Sequence, residues 1–241
     1  MKVAAYQAPL LPGGSMHALE LIGDRVKWCA TEGVDILCCP EAVLGGLADD
    51  VECPADIAID VQSGALEALL APLANNSVAV IVGFTEAAGA GKLYNAAAVL
   101  CDGRVLGIYR KRHPAIRTSV YSAGDQSPIF TVGRLPFGIM ICNDSNDPEI
   151  GADMAARSAR VIFVPSNNGL PAERADVVAL SRAVDIARAR DNHVVIVRAD
   201  VAGRTATRVS LGSSAIVDPR GRVVRAAQPL REEILVAEIQ A

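Results

Sequence analysis

Apolar and polar positions along this chain change period again and again. Short runs rich in β-branched residues stand at 3–6, 35–39, 78–83, 96–100, 105–109, 137–141, 161–164, 194–197, 213–217 and 223–226, and such runs read as strands. Between them the apolar spacing lengthens to that of a helix. Leu66, Leu69, Leu70 and Leu73 mark one helical face behind a Ser63 cap. Leu180, Val184, Ala187 and Arg188 mark another, on a helix from about residue 176 to 190. Asp147-Pro148 reads as the cap and first position of a third helix. Strands alternating with helices predict an α/β architecture.

The order of these elements repeats. MKVAAYQ, a helix and GVDILCCPEAV are matched in the second half by GIMICND, a helix and SARVIFVPSNN. Both halves continue with a helix and a strand, NSVAVIVGFTE and DNHVVIVRADV, and both close with a hairpin, YNAAAVLCDGRVLGIYRK and LGSSAIVDPRGRVVRAAQ. Two sheet-plus-helix halves bury most apolar surface when the sheets face one another with the helices outside. The expected fold is therefore a four-layer α-β-β-α sandwich built from two similar halves. No linker or low-complexity tract interrupts it, so residues 1–241 are read as one domain.

Composition narrows the function. Of 241 residues 51% are hydrophobic, enough for a large core, and the net charge of −4 gives no footprint for nucleic acid or an anionic membrane. Apolar runs such as 96–101 are too short to span a bilayer, and the first ten residues lack the pattern of a signal peptide. Six cysteines, at 29, 38, 39, 53, 101 and 142, follow no disulfide or zinc spacing. The expected home is a reducing cytoplasm, with no bound metal.

The repeat also points to chemistry. Pro40-Glu41 and Pro165-Ser166 fall at equivalent strand ends, as do Ala5-Tyr6-Gln7 and Ile141-Cys142-Asn143, and α/β sheets gather ligands beyond the carboxyl ends of their strands. Glu41 follows a wholly apolar strand directly, Lys111 stands where a hairpin strand ends, and Cys142 sits where a strand gives way to a polar turn. A thiol attacks as its thiolate and needs a base or a positive neighbour. Among the histidines, His113 follows a basic run and His193 opens a strand. A Cys–His hydrolase using His113 remains an alternative. The other five cysteines are read as core or surface residues, and Cys142 is expected to react with iodoacetamide ahead of them.

CCPEAVLGG, GIYRKRHP and GIMICNDSNDPE, in this order, resemble the three signature regions of the nitrilase superfamily, the carbon–nitrogen hydrolases. The resemblance extends over nearly the whole chain. It implies the α-β-β-α sandwich, a cofactor-free hydrolase acting on a small-molecule amide or N-carbamoyl compound through a cysteine thioester, and assembly into a homodimer or higher homo-oligomer. It also implies a catalytic set that maps to Glu41 as base, Lys111 as oxyanion stabiliser and Cys142 as nucleophile, with the backbone N–H of Asn143 as a second oxyanion donor. The family commonly carries a second glutamate between the lysine and the cysteine, and here no carboxylate lies between Lys111 and Gly124. Glu149 or Asp144 could substitute if the fold brings one near. Arg117 is a candidate clamp for a substrate carboxylate, against a structural salt bridge, and Asn167 is a substrate-side candidate, against a role in turn geometry. Loss of the second glutamate leaves a second reading open, a nitrilase-fold binding or regulatory protein with impaired turnover.

Overall fold

The computed structural model describes residues 1–74, 77–115, 119–171 and 177–239. In chain order these form β1 (Lys2–Pro9), α1 (Ala18–Thr31), β2 (Ile36–Cys38), β3 (Ala58–Asp60), α2 (Ala65–Leu70), β4 (Ala79–Ala88), β5 (Lys92–Cys101) and β6 (Arg104–Arg110). There follow β7 (Phe130–Val132), β8 (Leu135–Ile139), α3 (Pro148–Ala156), β9 (Val161–Pro165), α4 (Val177–Asn192) and β10 (Val195–Ala199). The chain closes with β11 (Val201–Arg204), β12 (Val209–Ser210), β13 (Ala215–Val217), β14 (Val223–Ala226) and β15 (Glu233–Glu238).

Two sheets result. One runs β12-β11-β1-β2-β4-β5-β6, with β15 beside β1 and β3 beside β4; the other runs β14-β13-β10-β9-β8-β7. In the first, β1, β2 and β4 are parallel and β5 and β6 return antiparallel. In the second, β8, β9 and β10 are parallel and β13 and β14 return antiparallel. The repeat read from the sequence is thus a repeat of topology.

Alternation of side chains sorts the layers. Val3, Ala5, Ile36, Cys38, Ile81 and Val99 point inward and join Phe137, Ile139, Phe163 and Ile196 of the second sheet in one buried core. Their neighbours Ala4, Tyr6, Leu37, Cys39, Val80 and Leu100 point outward, onto Ile22 and Val26 of α1 and Leu66 and Leu70 of α2. Cys38 and Cys39 accordingly serve two different cores. Ile150 and Met154 of α3 and Ala189 of α4 cover the far face of the second sheet, which completes the α-β-β-α sandwich.

Local chemistry bounds the helices. Asp147 caps α3 by accepting from the Glu149 N–H at 2.9 Å, and Pro148 takes the first position. Two expectations need correction. Gly64, in a left-handed conformation, and not Ser63, occupies the cap of α2, while Ser63 Oγ accepts from the Ala65 N–H. On α4, Leu180 is 64% exposed and the buried positions are Asp185 and Ala189. The inner face of that helix is chosen by an ion pair described below, a long-range partner that local periodicity does not register.

Candidate active site

The strand-end residues converge. Glu41, Lys111, Cys142, Asn143 and Asn167 all line one cavity of about 350 Å³, a volume suited to a small molecule. Arg117 lies outside the described residues.

Glu41 leaves β2 through Cys39-Pro40 on a tight turn in which Ala42 has a φ of +45°. The turn presses on β4 at Gly83, where a Cβ would fall 2.4 Å from the Pro40 carbonyl oxygen and 2.5 Å from the Ala42 nitrogen. A side chain there would push the glutamate out of place. The Glu41 N–H donates to the Ser166 carbonyl at 3.2 Å, so the equivalent ends of the two halves touch. Its carboxylate is 2% exposed. Oε1 accepts from Lys111 Nζ at 2.5 Å and from Asn95 Nδ2 at 2.8 Å, and Oε2 accepts from the Asn167 backbone N–H at 2.9 Å.

Lys111 follows β6 immediately, held by its N–H on the Asn95 carbonyl at 2.8 Å. Burial alone would lower its pKa; the Glu41 carboxylate, followed by the Cys142 and Asp144 groups, outweighs that and raises it above the ordinary lysine value. Lys111 is therefore a fixed cation. Asp144 does not take the place of the family's second glutamate on the ammonium. Its carboxylate instead accepts from the N–H groups of Ile141, Arg112 and His113 and from the Tyr109 hydroxyl. It ties the lysine segment to the cysteine turn. Glu149 is exposed on the first turn of α3.

Cys142 opens a 3-10 turn, Cys142–Asn146, directly after the apolar run that extends β8. Its φ of +45° is a left-handed conformation rare for a residue with a Cβ. Ser145 Oγ donates to the Cys142 carbonyl at 2.8 Å, and Cys142 Sγ faces Asn168 Oδ1 at 4.0 Å. Burial, followed by the Glu41 charge, pushes the thiol up to about 12, against opposing pulls from Lys111 and Arg198. Burial and the Glu41 charge thus favour the thiol over the thiolate. Asn143 Nδ2 donates to the His113 carbonyl and its Oδ1 accepts from Asn146 Nδ2, so the side chain is held within its own turn and its neighbour. Asn167 Oδ1 accepts from the Gly169 N–H at 3.1 Å, a turn contact, in addition to its backbone bond to Glu41.

His113 does not join the cavity. Its side chain is 44% exposed and Nε2 pairs with Asp147 Oδ2 at 2.8 Å. The other cysteines divide into core and surface positions, with Cys29, Cys38 and Cys39 buried and Cys53 exposed. An exposed thiol will alkylate whatever its role, so labelling rate alone does not single out Cys142.

Two buried groups escaped the reading of the sequence. Arg198, 1% exposed, donates to both oxygens of Asp185, to Ser145 Oγ at 3.1 Å and to Ser166 Oγ at 2.5 Å. One guanidinium thus braces both the cysteine turn and the segment that receives the Glu41 N–H. Asp200 holds Asn168 through its N–H and Nδ2, at 3.0 and 2.8 Å. The signal was present in VVIVRADV, where charges interrupt and end an apolar strand as Glu41 ends DILCCP. Among the described residues no group of three or more His, Cys, Asp or Glu side chains is arranged to hold a metal ion, and no helix is long and apolar enough to cross a membrane.

The profile of the carbon-nitrogen hydrolase family matches residues 2–241. A nitrilase of Pyrococcus abyssi is 30% identical over 217 residues, covering 89% of this chain and 80% of that protein. An (R)-stereoselective amidase of a Pseudomonas species is 28% identical over 93% of this chain and 80% of its own. A glutamine-dependent NAD(+) synthetase of Xylella fastidiosa is 32% identical over 86% of this chain, which spans only 38% of that longer protein. The fold is that of a cysteine-to-alanine variant of the Nesterenkonia AN1 amidase from the nitrilase superfamily, with a TM-score of 0.85 at 24% identity over 99% of this chain and 90% of that one. In another structure of that amidase, acrylamide has added to the active site cysteine. With its two stacked sheets and a matching profile from end to end, this chain belongs to the carbon–nitrogen hydrolase family.

Proposed function

We propose that the protein is an amidohydrolase that cleaves a small amide or N-carbamoyl compound through a thioester on Cys142, with residues 1–241 acting as one catalytic domain. The observation that carries this reading is the wiring of Glu41. A carboxylate has about four acceptor positions, and three are filled by Lys111, Asn95 and Asn167. The free one, on Oε2, is the position this reading assigns to the thiol proton.

Because the surroundings of Cys142 favour the protonated thiol, deprotonation accompanies attack. Glu41 takes the proton as the Sγ–C bond forms and returns it to the leaving nitrogen as the C–N bond breaks. The same carboxylate then draws a proton from the water that hydrolyses the thioester. Lys111 stays charged and, with the Asn143 backbone N–H, stabilises the oxyanion; each such donor is typically worth about 3 kcal/mol of barrier. The (R)-stereoselective amidase among the relatives supports an amide substrate, while the Pyrococcus relative is a nitrilase. The test is ammonia release from a panel of small amides, carbamoyl amino acids and glutamine, the last because the Xylella synthetase is glutamine-dependent. Turnover of at least one compound that vanishes in Cys142→Ala is the expected result; a silent panel together with a Cys142 that no amide protects from iodoacetamide would refute it.

A further inference from the structure

Asn95 lines the cavity and carries an unused acceptor. The residue is 1% exposed, on β5, and its side-chain orientation is fixed, since Nδ2 donates to Glu41 Oε1 and the reverse arrangement would set oxygen against oxygen. That leaves Oδ1 buried, with no hydrogen-bond partner among the described residues, on a residue that lines the cavity. Buried polar atoms are nearly always partnered, so an orphan on a residue that lines a ligand cavity points to a donor that the ligand brings.

The reaction specifies where such a donor would stand. The leaving nitrogen must come within hydrogen-bond reach of Glu41 to receive its proton, and Asn95 is bonded to that same carboxylate. We propose that Asn95 Oδ1 accepts an N–H of the scissile nitrogen, so that Asn95 selects substrates whose leaving group is an N–H-bearing amine or ammonia over esters of the same acyl group. This rests on the hydrolase reading above. During acylation the Sγ–C bond forms and the C–N bond breaks, the bonding pair leaves with nitrogen, and the proton passes from thiol to Glu41 to nitrogen. Oδ1 orients that nitrogen through a hydrogen it already carries and takes no proton itself.

Asn95 has two bonds to lose, and they are separable. Loss of the Nδ2 bond to Glu41 slows amides and esters alike; loss of the Oδ1 acceptor slows only amides. The experiment measures kcat/KM for an acyl-matched primary amide and methyl ester in the wild type, Asn95→Leu, Asn95→Ala and Asn95→Asp. Asn95→Ala places the least demand on the fold, and Asn95→Asp keeps an acceptor at Oδ1. The expected result is an amide-to-ester ratio that falls about tenfold or more in the Leu and Ala variants and is retained in Asn95→Asp, even if that enzyme is slower overall. An unchanged ratio in Asn95→Ala, with both substrates slowed equally, would overturn the proposal and leave the hydrolase reading intact. A wild type that turns over neither substrate, with Cys142 unprotected by either, would remove both.

Discussion

Arg198 and Asp185 close a two-point ion pair, Nη2 to Oδ1 at 2.6 Å and Nε to Oδ2 at 2.7 Å, with both side chains shut away from solvent. A buried pair of this kind contributes little net stability against an apolar replacement, but breaking one half of it is costly. What distinguishes this pair is the remaining reach of the guanidinium. Through Ser145 it holds the carbonyl of Cys142, and through Ser166 it holds the segment on which the Glu41 turn rests.

Arg198→Met should therefore destabilise the protein by about 3–5 kcal/mol, because Asp185 is left buried and unpaired. Arg198→Met combined with Asp185→Leu should recover most of that in urea unfolding, yet kcat should stay low because neither serine is braced. Full recovery of turnover in the double variant would show that the pair serves stability alone.

Glu41→Gln removes the base and should abolish steady-state turnover while the fold persists. It also removes a negative charge that raises the Cys142 thiol. The thiol midpoint, followed by ultraviolet thiolate absorbance, should thus fall in the variant. An inactive enzyme with a more acidic thiol is the expected combination; a midpoint that rises would show that Glu41 acts on the cysteine otherwise than by its charge.

At Cys142 the usual order of alanine and glycine should invert. Alanine is ordinarily the more stabilising of the two, but at a φ of +45° it carries a Cβ into left-handed space at a cost of about 1–2 kcal/mol. Cys142→Gly should unfold at a higher urea concentration than Cys142→Ala, with both inactive. The reverse order would mean that the turn is not held in this conformation.

Alkaline stability follows from the buried thiols. Burial raises Cys29 from 9.0 to about 12, and burial with the Glu41 charge raises Cys142 from 9.0 to about 12. A raised thiol pKa favours the protonated folded form, so this contribution is complete below about pH 9 and is lost between about 9 and 12 as the unfolded chain ionises. Each thiol should cost up to about 1.4 kcal/mol per pH unit in that window. Urea midpoints across it should decline, and less steeply in Cys29→Ala.

The sequence alone determined the layers and the rim. Period-two apolar runs alternating with helical ones, repeated across two halves, dictate which faces must be buried, and burial against a second sheet is what two such halves can do. Strand-end positions of Glu41, Lys111 and Cys142 were legible because a charged or reactive residue closing an apolar strand is a local anomaly. Short strands such as β3, β11 and β12 were not legible, since they exist by pairing with distant partners. Tertiary structure alone decided the inner face of α4, where Asp185 goes inward and Leu180 outward because Arg198 lies across from it. It likewise decided that Asp144 serves four donors rather than the ammonium, and that Asn95 turns one atom to Glu41 and leaves the other bare. These are facts about which groups meet in space. Hydrogen bonds and ion pairs are satisfied across hundreds of residues of chain, and no local pattern encodes their partners.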